Sequence, residues 1–133
     1  MGQHVLLIED EPSIAEAVRF ILARDGWRVT CHGDGASAVA AVGRHAPDAV
    51  ILDVMLPGRS GYDILRDLRA DPATADLPVL MLTARGNGDD RMRAAEAGAS
   101  RFMAKPFSNA AILAEMRALL AGARPARHAA GGA

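Results

Sequence analysis

The sequence predicts an α/β fold in which helices cover both faces of a parallel β-sheet. Short, continuous apolar runs alternate along the chain with helical patterns, and the alternation repeats five times. Continuous apolar runs indicate strands that are buried on both faces, as the strands of parallel sheets are. Right-handed crossovers connect such strands, so we expect a doubly wound, three-layer arrangement of five strands and five helices.

The five predicted strands differ in the strength of their pattern. The strongest are runs of four apolar residues at 5–8, 49–52 and 79–82. Residues 28–31 and 101–104 have the same character but include polar side chains. These two segments are therefore weaker candidates for strands of the same kind.

The predicted helices carry apolar residues at helical spacing. In the first, positions 14, 17, 18, 21 and 22 form one stripe, which Pro12 can open and Asp25-Gly26 can end. The remaining four are predicted over residues 36–42, from Ser60 to residue 68, over residues 89–97 and over residues 112–120.

Length and composition indicate one globular domain. The chain has 133 residues, half of them hydrophobic, and a formal net charge of −1. This composition excludes a disordered chain, and nothing in it favours direct nucleic-acid binding or a membrane. The domain is predicted over residues 1–121, and residues 122–133 are expected to be a disordered tail or a linker stub. We see no signal peptide and no run long enough for a membrane span, so the expected location is the cytoplasm.

Cysteine and lysine are each present once. Cys31 is the single cysteine, and among apolar neighbours it is predicted to be an inert core thiol. Lys105 is the only lysine beside fourteen arginines. Because an ammonium is a compact point charge and a guanidinium is a planar fork, this choice indicates that position 105 needs a point charge.

Polar side chains follow several predicted strands at their carboxyl ends. Glu9 and Asp10 follow the first strand, Asp53 ends the third, Thr83 ends the fourth and Lys105 follows the fifth. Ligands of open parallel sheets bind beyond these strand ends, which lie close together. We therefore expect the five residues to form one site.

Clustered carboxylates usually hold a hard divalent cation, and Mg²⁺ is satisfied by one or two of them together with water. If one carboxylate is a nucleophile, the metal screens an incoming phosphate, while Thr83 and Lys105 can hold its oxygens. Each residue taken singly has a more ordinary explanation. Glu9 and Asp10 can be acids ahead of a helix, Asp53 and Lys105 can be turn residues, and Thr83 can cap the segment that follows it. Their coincidence at the strand ends of one pattern favours the functional interpretation.

Four ordered stretches resemble the receiver domain of two-component response regulators. They are VLLIEDEP at 5–12, PDAVILDVMLPGRSG at 47–61, PVLMLTA at 78–84 and GASRFMAKPF at 98–107. The resemblance covers about residues 3–120 and is closest to OmpR-like receivers and single-domain regulators of the CheY type. It implies a flavodoxin-like fold with strand order 2-1-3-4-5.

The resemblance also implies the roles of the site residues. Asp53 would accept a phosphoryl group from a sensor histidine kinase, a phosphotransfer protein or a small donor such as acetyl phosphate. Asp10, Asp53 and the backbone carbonyl of Met55 would bind Mg²⁺, or Mn²⁺ in its place, and Glu9 would act through a metal-bound water. Lys105 would read the phosphoryl group.

The resemblance further implies a conformational switch. Thr83 and Phe102 would move on phosphorylation and reshape the face formed by the fourth helix, fifth strand and fifth helix. That face would bind a downstream protein or a fused effector domain, or support a homodimer. Lys105-Pro106 would have a cis peptide bond. Whether the chain is a single-domain regulator or a receiver from a longer protein stays open.

Three other interpretations fit the sequence less well. A haloacid-dehalogenase-type phosphohydrolase needs an acid two residues after its nucleophile, and this chain has Met55 there. A flavodoxin-like electron carrier needs a phosphate-binding loop after the first strand, where Glu9 and Asp10 would repel the phosphate. A phosphorylation-independent receiver would not need the complete set of site residues.

Overall fold

The computed structural model describes residues 3–84 and 88–132, and for residues 122–132 it describes the helical backbone alone. The strands are β1 His4–Ile8, β2 Arg28–His32, β3 Ala49–Asp53, β4 Val79–Thr83 and β5 Arg101–Ala104. The helices are α1 Pro12–Arg24, α2 Ala38–His45, α3 Gly61–Ala70, α4 Gly88–Ala97 and α5 Asn109–Gly132.

All strand pairs are parallel, and their order in the sheet is β2-β1-β3-β4-β5. This confirms the predicted α/β fold and its strand order. In the register, Asp53 lies opposite Leu82 and Thr83 lies opposite Ala104. The carboxyl ends of β1, β3, β4 and β5 therefore meet at one edge of the sheet, which we call the carboxyl edge. The opposite edge is the amino edge.

Alternate residues of the central strands pack into two separate hydrophobic cores, one on each face of the sheet. Leu6, Ile8 and Leu52 point to the core shared with α2, α3 and α4. Leu7 and Ile51 point to the core shared with α1 and α5. Every residue of β1, β3 and β4 is buried, as the continuous apolar runs predict.

The helix boundaries follow local chemistry. Pro12 opens α1, and the Ser60 hydroxyl caps α3 by accepting a hydrogen bond from the Tyr62 amide at 3.1 Å. Helix α2 begins at Ala38, two residues later than predicted. The Asp34 carboxylate accepts the Ser37 amide at 3.0 Å, and this turn replaces the first turn of the helix.

The prediction for Cys31 is wrong, because its side chain is exposed. Strand β2 is an edge strand that pairs with β1 alone, and its residues are only partly covered. Apolar neighbours in sequence could not reveal this edge position.

No helix within the described residues is long and apolar enough to cross a membrane. The predicted domain limit at residue 121 and the disordered tail or linker stub at 122–133 stay predictions. The side chains of residues 122–132, and all of Ala133, lie outside the part of the chain that the structure describes.

Candidate functional site

Three carboxylates meet at the carboxyl edge of the sheet. One oxygen from each of Glu9, Asp10 and Asp53 lies within 4.8 Å of the others. Glu9 and Asp53 are buried, at 3% and 2% exposure, whereas Asp10 is exposed. The parallel sheet thus brings together the acids that the sequence analysis placed at separate strand ends.

Lys105 joins this cluster from the end of β5. Its Nζ lies 3.1 Å from Glu9 Oε1 and donates a hydrogen bond to Asp53 Oδ2 at 3.3 Å. The Lys105 amide donates to the Thr83 carbonyl at 2.7 Å, and the Lys105-Pro106 bond is cis, as the resemblance implies. Burial alone would lower the pKa of Lys105, but the two acids outweigh it and raise the pKa.

Glu9 is the acid of the cluster whose ionisation is made less favourable. Its Oε2 accepts the Glu11 amide at 3.1 Å. Burial and then the negative charge of Asp53 raise the pKa of Glu9, and its contacts with Lys105 and Glu11 only partly oppose them. A single ammonium therefore does not neutralise the cluster.

The donor set fits a hard divalent cation. Glu9 Oε1 is fully buried and, among the described residues, accepts no hydrogen bond of normal geometry, although Lys105 is near as an ion pair. A carboxylate has about four acceptor sites, so the contact with Lys105 leaves capacity for a metal ion or a water. The group that the described residues form consists of three carboxylates, which matches the preference of Mg²⁺ for oxygen.

The segment after Asp53 holds this carboxylate in place. The Met55 amide donates to Asp53 Oδ1 at 3.4 Å, while the Met55 side chain is 70% exposed. Gly61 begins α3 directly against this segment, and its amide donates to the Val54 carbonyl at 2.8 Å. A Cβ at Gly61 would collide with the Asp53 carbonyl, so only glycine permits this close approach.

The two residues predicted to act as a switch lie beside α4. Thr83 is 4% exposed, and its hydroxyl donates to Asp90 Oδ2 at 3.5 Å. Phe102 is half-buried against the core, with the Arg91 guanidinium 5.1 Å from its ring centroid. Their roles in switching stay predictions.

Asp90 is the site neighbour that the sequence analysis missed. It shares a helix face with Ala94 and Ala97, four and seven residues later, and all three are buried. That spacing could have placed it on the core side of α4. Arg85, which we expect to tune the dephosphorylation rate, lies outside the described residues.

Comparisons with known proteins agree with this geometry. Residues 5–117 match the family model of the response regulator receiver domain. The chain is 47% identical over 116 residues to the probable transcriptional regulatory protein TcrX of Mycobacterium tuberculosis, covering 87% of this chain and 49% of that protein. It is 40% identical over 120 residues to the phosphate regulon transcriptional regulatory protein PhoB of Escherichia coli, covering 90% of this chain and 52% of that protein.

Solved structures agree as well. A putative response regulator from Chloroflexus aurantiacus superposes with a TM-score of 0.87 at 34% identity, covering 91% of this chain and 99% of that one. The receiver domain of a sensor histidine kinase from Pseudomonas aeruginosa superposes with a TM-score of 0.79 at 35% identity, covering 90% of this chain and 95% of that one. That structure has a magnesium ion coordinated in its active-site cleft.

This chain spans about half the length of the curated relatives it matches. What it shares with them is the receiver, and receivers of response regulators work with histidine kinases in two-component signalling. The chain belongs to the family of response regulator receiver domains.

Proposed function

We propose that this receiver is switched by phosphorylation of Asp53. The observation that carries the proposal is the meeting of Glu9, Asp10, Asp53 and Lys105 at one edge of the sheet. In this proposal Asp53 is the nucleophile, at the end of β3 beside the strand that the other two acids follow and in contact with Lys105. Lys105 binds the phosphoryl oxygens, where its ammonium offsets their charge.

The transfer is a substitution at phosphorus. A carboxylate oxygen of Asp53 forms a new bond to phosphorus, and the bond from phosphorus to the donor's histidine nitrogen breaks. The nitrogen keeps the electron pair of that bond, and the product is an acyl phosphate. With acetyl phosphate as the donor, acetate leaves in the same way. Modification adds roughly −1.5 to −2 charge where two acids are already buried.

We propose Mg²⁺ as the metal of the site, with Mn²⁺ as a substitute. Asp10, Asp53 and the Met55 carbonyl would be direct ligands, and Glu9 would act through water. A bound divalent cation supplies charge screening between the carboxylates and the incoming phosphate. The spare acceptor capacity of the buried Glu9 carboxylate and the three clustered carboxylates support this choice.

Thr83 and Phe102 would carry the signal. The Thr83 hydroxyl would bind a phosphoryl oxygen, and Phe102 would turn into the space that Thr83 leaves. The output would be a changed α4-β5-α5 face, a two-state element biased by one added charge. A downstream protein, a fused effector domain or a second copy would read this face, in the cytoplasm and without direct nucleic-acid binding by the receiver itself.

The homodimer would need its own pattern of charges. OmpR-like receivers usually carry acids where this chain has Ser100 and Arg101. Here Arg101 pairs within the chain with Glu115 of α5, at 2.5 Å between Nε and Oε1. A dimer through this face would have to keep or exchange that ion pair.

We do not propose turnover of external substrates. The side chain two residues after Asp53 is the thioether of Met55, which has no proton to give to a leaving group. The covalent intermediate would therefore persist as a signal, with slow self-dephosphorylation.

The test is intact-protein mass after incubation with acetyl phosphate and Mg²⁺. The wild type should gain one phosphoryl group, and chelation of the metal should prevent it. Asp53→Asn should gain none. Asp63→Asn is the matched control, because Asp63 is an exposed acid on α3, and it should react like the wild type.

An adduct that persists in Asp53→Asn would place the phosphoryl group on another residue. A wild type that gains no adduct and also fails to bind beryllofluoride would leave a receiver that signals without phosphorylation.

A further inference from the structure

The buried face of α4 contains an acid where helices usually place an apolar residue. Asp90 is 4% exposed and shares that face with two alanines, whereas the preceding acid, Asp89, is exposed. Burial of a carboxylate is costly unless a specific contact compensates for its lost hydration. We therefore expect Asp90 to make a specific buried contact that the exposed Asp89 does not need.

The contact of interest is with the predicted switch residue. Thr83 Oγ1 donates to Asp90 Oδ2 at 3.5 Å, a weak bond because hydroxyl donors usually lie within about 3 Å of their acceptor, and both residues are buried. A hydroxyl carries one proton and donates it to one acceptor at a time. A phosphoryl oxygen on Asp53 would need that same proton. Asp90 and the phosphoryl group are therefore competitors for Thr83.

The other end of α4 is anchored by Arg69. Arg69 of α3 donates from Nε to the Gly98 carbonyl at 2.8 Å and from Nη2 to Ser100 Oγ at 3.3 Å. These bonds fix the turn between α4 and β5. The first turn of α4 instead shares with β4 the long Thr83–Asp90 contact, which phosphorylation would remove.

We infer that Asp90 is a positioning residue that restrains Thr83 in the unphosphorylated receiver and links Thr83 to the first turn of α4. This inference rests on the proposed function. When Thr83 turns to the phosphoryl group, it leaves Asp90, and the first turn of α4 moves about the end that Arg69 anchors. Loss of the Asp90 carboxylate removes a contact made only in the inactive state, so the activated state becomes easier to reach.

If Asp90 acted only through the charge that it places in the first turn of α4, Asp89→Asn would have the same effect as Asp90→Asn. An acid in the first turn of a helix interacts favourably with the helix dipole wherever its side chain points. Asp89 shares this property with Asp90 but is exposed, so Asp89→Asn is the matched control. It removes the same charge from the same turn and leaves Thr83 untouched.

The experiment measures the apparent Kd for beryllofluoride in the presence of Mg²⁺. Amide chemical shifts are the readout, because Trp27 precedes β2 at the amino edge and reports on this site poorly. Asp90→Asn should bind about fivefold tighter than the wild type, since a neutral acceptor holds the hydroxyl less strongly, and Asp90→Ala should gain up to about thirtyfold. Asp89→Asn should stay within about twofold.

A double-mutant cycle with Thr83→Val decides the mechanism. Valine keeps the shape of threonine without the hydroxyl, so Asp90→Asn should have no further effect on the Kd in that background. The inference is overturned if Asp90→Asn lowers the Kd by the same factor in the Thr83→Val background. It is also overturned if Asp90→Asn alone leaves the Kd unchanged or raises it. If the wild type itself neither binds beryllofluoride nor gains a phosphoryl group, the proposed function fails and the inference fails with it.

Discussion

The two edges of the sheet treat their polar groups in opposite ways. At the carboxyl edge, the buried acids Glu9 and Asp53 share one ammonium, and burial together with the charge of Asp53 raises the pKa of Glu9. At the amino edge, polar groups meet fixed partners. The Asp48 carboxylate accepts the His4 amide at 2.7 Å, and His4 Nε2 lies 2.8 Å from the Thr30 hydroxyl.

This difference separates stability from function in one small domain. The amino edge is satisfied in the folded chain by itself, so changes there should cost stability. The carboxyl edge carries an excess of negative charge that a bound cation would offset, so neutralisation of an acid there should increase stability at the expense of activity. Four predictions test the contrast.

The largest effect is expected at Arg69, on the amino side. Arg69→Ala should lower the free energy of unfolding by about 3 kcal/mol, because the carbonyls of Gly98, Thr74 and Ala75 lose their donor. Urea unfolding measures this. Arg66→Ala, on the same helix but exposed, should change it by no more than about 0.5 kcal/mol. Equal effects of the two substitutions would show that Arg69 is not an anchor.

The next effect concerns Gly61, where α3 meets the Asp53 carbonyl. Gly61→Ala should destabilise by about 2 kcal/mol, because the added Cβ forces the backbone apart. It should also slow phosphorylation. Gly43→Ala is the control, since its Cβ would meet no atom within 4 Å, and it should stabilise α2 by up to about 1 kcal/mol. A neutral or stabilising Gly61→Ala would contradict the close packing.

A smaller effect of opposite sign should follow from neutralisation of the nucleophile. Without divalent cations, Asp53→Asn should raise the free energy of unfolding by about 1 kcal/mol, because Glu9 loses a repelling neighbour. Asp48→Asn at the amino edge should lower it by up to about 1 kcal/mol, since the amide is a weaker acceptor for His4. If both substitutions destabilise the protein, the contrast between the edges is wrong.

The smallest effect is the pH dependence due to His4. Burial lowers the pKa of His4, as do the positive charge of Arg28 and the neighbouring His45, while Asp48 opposes them. The unfolded chain therefore binds this proton near pH 6.5 and the folded chain only at lower pH. Above that pH, the protonation of His4 takes nothing from the free energy of unfolding. Below it, the free energy of unfolding decreases as the pH falls toward the folded-state pKa of His4.

Unfolding measured at about pH 7.5 and about pH 5.5 tests this. The difference in unfolding free energy between the two pH values should be smaller in His4→Gln than in the wild type. An unchanged difference would show that other groups carry the pH dependence.

The sequence predicted the fold well because parallel strands carry a strong signal. Residues 5–8, 49–52 and 79–82 are apolar without interruption, and each is a strand buried on both faces. It also predicted that Glu9, Asp53 and Lys105 would meet, because residues at the carboxyl ends of neighbouring parallel strands must lie at the same edge. Periodicity and strand direction are properties of the chain itself.

Burial and partner choice were decided only in three dimensions. Cys31 has apolar neighbours in sequence but lies on an edge strand, where its side chain is exposed. The sequence predicts that Lys105 meets both acids, but only the structure places its Nζ 3.1 Å from Glu9 and 3.3 Å from Asp53. The sequence by itself determined the order of the elements and the set of residues at the site. Which carboxylates are buried, and which one Thr83 contacts, depended on how α4 packs against the sheet, because burial of a side chain is fixed by elements distant in the chain.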